Sequence, residues 1–140
     1  VSVSHFRELD VWQVAMQLVK EVYLLTAELP RDERFGLSSQ LQRSAVSIPS
    51  NIAEGNARQS TRDYARFVAI AMGSTAELQT QLLLAESLEL ASARRLVAPL
   101  DACERVSQML HRLYRSLERR LQNGSRVPGP GSRHNISETT

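Results

Sequence analysis

A chain of 140 residues, 42% hydrophobic and 23% charged, has the size and balance of one globular domain that needs no covalent staple. Its single cysteine excludes an intrachain disulfide, and no run of about 18 apolar residues is present to cross a membrane. A net charge of +2 is too small to imply nucleic acid by itself.

Aromatic residues are 5% of the chain, while leucine and alanine abound, which favours helices over strands. The first helix is expected over residues 7–29. Val11, Ala15, Leu18, Val22, Leu25 and Leu29 recur at alternating steps of four and three, and Trp12, Val19 and Tyr23 widen the stripe. Pro30 ends it, because a residue before proline is pushed out of helical geometry. A polar turn, PRDERFG, follows.

The second helix starts at Leu37 or Ser38 and carries Leu41, Ala45, Ile48 and Ile52. Pro49 removes one backbone hydrogen bond and is expected to kink or interrupt it, with the serines of SIPSN bonding the freed backbone. Gly55 and Asn56 supply the stop. Ser60 reads as the next N-cap, with Asp63 favouring the positive end of the helix.

The third helix spans residues 61–88 and buries Val68, Ala71, Thr75, Leu78, Leu82 and Ala85. Ala71, Gly73, Ser74 and Ala76 form a small-residue stretch that would let another helix approach closely. Ser92 caps the fourth helix, which reaches Gln122; its regular part is expected to begin only at Pro99. Leu96, Leu100, Cys103, Ser107, Leu110, Tyr114, Leu117 and Leu121 keep a heptad of fours and threes. A second row, Val106, Met109 and Leu113, suggests burial against another chain.

These elements predict an all-α protein: an antiparallel up-down-up-down four-helix bundle over residues 1–122. Residues 123–140, with three glycines, two prolines and almost no apolar side chains, are expected to be a flexible C-terminal tail. The opening VSVSHFRELD lacks the charged-then-apolar layout of a secretory signal, so a cytoplasmic location is expected, and the sequon at Asn135 is taken as accidental.

No catalytic constellation, metal site or cofactor motif is expected. Cys103 lies on the heptad stripe and reads as a core residue. His5, His111 and His134 have no metal-ligand spacing, and no phosphate loop or nucleophile elbow occurs. The arginines are the suggestive feature, with Lys20 the only lysine. Arg105, Arg112, Arg115 and Arg119 share one face of the fourth helix, and Arg58, Arg62 and Arg66 recur every fourth residue around the start of the third. Two such ridges could track a phosphate backbone. Asp63, Asp101 and Glu118 interleave with them, as on an ordinary salt-bridged solvent face.

The segments FRELDVWQVAMQL, FGLSSQLQRSAVSIPSNIAEGNARQS and YARFVAIAMGSTAELQTQLLLA resemble the four-helix-bundle family of 23S rRNA-intervening sequence proteins, which includes the accessory variability proteins of diversity-generating retroelements. The resemblance covers residues 6–121 and is carried most strongly by SIPSNIAEG, with Gly73-Ser74 and Glu77-Leu78 behind it. It implies a four-helix bundle that assembles as a ring-like homopentamer. In the retroelement branch it implies binding to RNA or DNA and to a reverse transcriptase. Beside that expectation stands a structural or protein-interaction oligomer that binds no nucleic acid.

Overall fold

The computed structural model describes residues 5–124. They form four helices: α1 (Asp10–Thr26), α2 (Leu37–Asn56), α3 (Thr61–Ser87) and α4 (Ala93–Gly124). Single 3₁₀ turns at Phe6–Glu8 and Arg31–Glu33 precede α1 and α2. No strand occurs among the described residues. The packed neighbours are α1–α2, α2–α3, α3–α4 and α1–α4, which closes the square of an up-down-up-down bundle.

The apolar stripes meet as their spacing predicts. Every position assigned to the core of α1, α2 and α3 is buried. On α4, Leu96, Cys103, Leu110 and Leu117 are fully or almost fully enclosed, while Leu100, Tyr114 and Leu121 pack from the rim. Caps set the helix starts. The Ser60 hydroxyl accepts from the Asp63 amide at 3.2 Å, and the Ser92 hydroxyl accepts from the Arg95 amide at 3.4 Å. A bidentate pair between Arg95 and Glu28 ties the start of α4 to the chain just beyond α1.

Several expectations are corrected. α1 ends at Thr26, before the turn that still buries Leu29, and Tyr23 lies half exposed instead of widening the core. Pro49 does not interrupt α2, and Pro99 does not delay α4, which begins six residues earlier at Ala93. Both prolines are buried inside helices, where packing of a long apolar face offsets the lost backbone bond. Val106 of the second row is fully enclosed within this one chain, with Met109 and Leu113 packed beside it. That row therefore requires no second chain. α4 runs on through Asn123 to Gly124; the remainder of the expected tail lies outside the described residues.

Gly55 has a different role from a helix stop. It lies inside α2 without positive φ, and α2 passes so close to α3 there that an added Cβ would stand 2.7 Å from the Cβ of Phe67. The stop after α3 uses no glycine at all. Leu90 N–H reaches the Ala85 carbonyl at 2.9 Å and Glu89 N–H reaches that of Glu86 at 2.9 Å, with Glu89 itself at φ 58°. This is a Schellman motif with glutamate in the left-handed position.

Ser47 does not bond the backbone freed by Pro49. Its hydroxyl meets that of Ser74 on α3 at 2.8 Å, and Asn51 donates to the Ser47 carbonyl and hydroxyl at 2.7 and 3.0 Å. The SIPSN segment thus joins α2 to α3 through a small polar network. The small-residue stretch of α3 divides accordingly. Ala71 is core and Ser74 takes part in this network, whereas Gly73 and Ala76 face outward, and a Cβ added at Gly73 meets nothing within 4 Å.

Candidate nucleic-acid interface

Antiparallel packing gathers the start of α1, the α2–α3 turn and the end of α4 at one end of the bundle. Residues 5–10, 54–66 and 112–124 carry eight arginines against five carboxylates. The opposite end, residues 26–37 and 84–97, carries four arginines against five carboxylates. The mild net charge of the chain therefore hides a polarised distribution.

The seven candidate arginines are all exposed, but they fall into three settings. Arg112, Arg115 and Arg119 line one open hollow of about 510 Å³ on α4, together with Glu118 and Gln122. None of the three forms an ion pair with a described residue. Arg105 is separate: it lines a groove between α1 and α4 with Gln13, Gln17 and Asp101.

At the α2–α3 corner the arginines are already engaged. Arg58 pairs with Glu54 at 3.1 Å, and its guanidinium lies 5.0 Å from the centre of the Phe67 ring. Arg66 pairs with Asp63 at 3.8 Å and lies 4.6 Å from the same ring. Two cations thus lie over one buried aromatic side chain, whose Cβ is the atom nearest to a methyl added at Gly55. Arg62, between them in sequence, is exposed and makes no ion pair with a described residue. The every-fourth spacing did not place these three on one helix, since Arg58 precedes the start of α3 at Thr61, and it could not show which carboxylates and rings would engage them.

Other candidates give no competing site. Cys103 is fully enclosed, and burial, with a smaller effect of the neighbouring Glu104 carboxylate, pushes its thiol up to about 12. A thiol so placed is a weak nucleophile at neutral pH. Among the described residues no three His, Cys, Asp or Glu side chains gather as metal ligands. His134 and Asn135 lie outside the described residues. No described helix is long and apolar enough to cross a membrane.

Sequence reasoning missed an apolar groove between α1 and α2. Trp12, Met16, Val19, Val46, Pro49 and Ala53 form most of its wall, in a hollow of about 320 Å³. The signal lay in Trp12, Met16 and Val19, a second stripe beside the core stripe of α1.

No match is found among curated proteins. A solved structure of a protein of unknown function from the S23 ribosomal protein family of Bacteroides thetaiotaomicron shares the fold, with a TM-score of 0.70 and 22% identity over 74% of this chain and 97% of that one. The profile of 23S rRNA-intervening sequence proteins matches residues 7–112, a shorter span than the resemblance of the sequence segments. It includes SIPSNIAEG and ends at Arg112, so Arg115 and Arg119 lie beyond it. With three-quarters of its length matched and the bundle fold in common, this chain belongs to the 23S rRNA-intervening sequence protein family.

Proposed function

We propose that the chain is a non-catalytic accessory protein that contacts the phosphate backbone of nucleic acid through the basic end of the bundle. The observation that carries this reading is the hollow on α4, where Arg112, Arg115 and Arg119 converge without a described ion-pair partner. Three guanidinium groups held on a rigid helix, in a hollow they share with the single carboxylate of Glu118 and without an ion pair to a described residue, suit phosphate oxygens. Such contacts carry no base information, so binding is expected across unrelated sequences.

The test is the affinity of the triple variant Arg112→Ala/Arg115→Ala/Arg119→Ala for duplex DNA and for RNA at graded salt. Loss of three phosphate contacts should flatten the slope of log affinity against log salt by about 2–3. An unchanged slope would remove the hollow from the interface.

A second feature supports self-association. The α1–α2 groove presents a nearly apolar wall, and α3 turns Ala69, Gly73, Ala76 and Thr80 outward at steps of four, three and four. A groove of large side chains and a flat stripe of small ones on the same chain are complementary shapes for two copies. The solution mass tests this: a species of 15.7 kDa at micromolar concentration would rule it out.

A further inference from the structure

A second open hollow lies at the end opposite the α4 arginines, where the 3₁₀ turn Arg31–Glu33 leads into α2. It encloses about 870 Å³, and Tyr23, Arg31, Arg34, Phe35, Ser38 and Gln42 are among its walls. Phe35 is 90% exposed, an extreme position for an aromatic ring, and the Arg34 guanidinium lies 5.4 Å from its centre. Folding gains little from leaving that ring in water.

The N-terminus of α2 opens into the same hollow. Its first amides have no partner within the helix. The Glu33 carboxylate accepts from the Leu37 amide at 3.3 Å, and the Gln40 amide reaches the Gly36 carbonyl at 3.2 Å. The amides of Ser38 and Ser39 remain. Ser38 is only 6% exposed, lines the hollow, and its hydroxyl has no hydrogen-bond partner among the described residues. Ser38 is more than nine-tenths buried as a residue, and its hydroxyl, with no partner among the described residues, is left to the hollow, where it can donate to a ligand. Arg31 and Arg34 make no ion pair with a described residue, and neither Asp32 nor Glu33 lines the hollow.

We propose that this hollow binds one nucleotide unit. Its phosphate sits on the Ser38 and Ser39 amides and the Ser38 hydroxyl, between Arg31 and Arg34, and its base stacks against Phe35 and Tyr23. A helix N-terminus with flanking guanidinium groups supplies the anion half. An exposed aromatic ring beside arginines supplies the base half, a combination suited to single-stranded or free nucleotides and not to duplex. The site shares no residue with the α4 hollow and does not rest on it.

Calorimetric titration of the full chain with AMP, adenosine and inorganic phosphate tests the proposal. AMP should bind more tightly than either fragment. Ser38→Ala should weaken AMP by about tenfold, the loss of a hydrogen bond to a charged group. Phe35→Ala should weaken it by about fivefold or more, the loss of one stacked base. Both variants should keep the parent melting temperature, since the Phe35 ring is solvent-exposed and the Ser38 hydroxyl has no partner to lose. The α4 triple variant should bind AMP as the parent does, which separates this site from the backbone contact proposed above. A 5′-phosphorylated dinucleotide identifies the natural source: tighter binding than AMP supports a strand end, and equal binding supports a free nucleotide. Absence of AMP binding at millimolar concentration would overturn the proposal. So would phosphate binding as tightly as AMP, or AMP affinity unchanged in both variants.

Discussion

Gly55 on α2 lies against Phe67 on α3 so closely that an added methyl would stand 2.7 Å from the Phe67 Cβ and 3.0 Å from the Tyr64 ring. The obstructing Cβ is rooted at the α3 backbone and cannot swing aside. Gly55→Ala gains about 1 kcal/mol of helix propensity. It costs about 1–3 kcal/mol in overpacking. Net destabilisation of about 1 kcal/mol is expected, read as a lower urea midpoint with unchanged slope. Gly73→Ala is the control of opposite sign for the dissociated chain: the site is mid-helix, exposed and clear of neighbours within the chain, so a gain of about 1 kcal/mol is expected where no second copy is bound.

Glu89 occupies the left-handed position of the α3–α4 turn, at φ 58°, where a Cβ is unfavourable. Glu89→Gly keeps both backbone bonds of the motif and removes that strain. It should raise stability by about 1 kcal/mol, seen as a higher melting temperature. A lower melting temperature would show that the Glu89 side chain contributes more than its backbone conformation costs.

Cys103 should resist modification. Its thiol is raised from 9.0 to about 12 by burial first and Glu104 second. At pH 8 a disulfide reagent should react with the native chain only as fast as the fold opens, and at the full thiol rate in denaturant. A raised thiol pKa favours the folded state fully below pH 9.0, and this contribution is lost as pH rises towards about 12. Cys103→Ser should react with nothing and should be less stable, because it buries a hydroxyl in an apolar setting.

The sequence was most legible where spacing alone decides the outcome. Val11 through Leu25, or Leu96 through Leu117, repeat at fours and threes, and a shared helical face buries them together. Short-range cap chemistry was equally visible at Ser60 and Ser92. What spacing could not show depends on a second helix. Gly55 reads as a helix stop until Phe67 is seen to lie against it. Pro49 and Pro99 read as breaks until the packed faces that carry them through are in place. Val106 reads as a second interface until the bundle encloses it. The arginines divide for the same reason, because Phe67, Glu54 and Asp63 engage Arg58 and Arg66 only once α2 and α3 are side by side.

That division gives the last prediction. Arg58 and Arg66 each pair with a carboxylate and stack on Phe67, whereas Arg112, Arg115 and Arg119 have open guanidinium groups in one hollow. Replacing Arg58 and Arg66 by alanine removes two cation–π contacts, worth about 0.5–1 kcal/mol each at exposed sites. Their surface ion pairs add about 0–1 kcal/mol. The double variant should therefore unfold at lower urea by an amount corresponding to about 1–3 kcal/mol. Its dependence of nucleic-acid affinity on salt should barely change, because cations already neutralised by Glu54 and Asp63 release few counterions on binding. The α4 triple variant should show the opposite pattern, with stability nearly unchanged and the salt dependence flattened. Equal effects of the two variants on the salt slope would mean that both corners touch the backbone, and the interface would then extend from α4 across the start of α3.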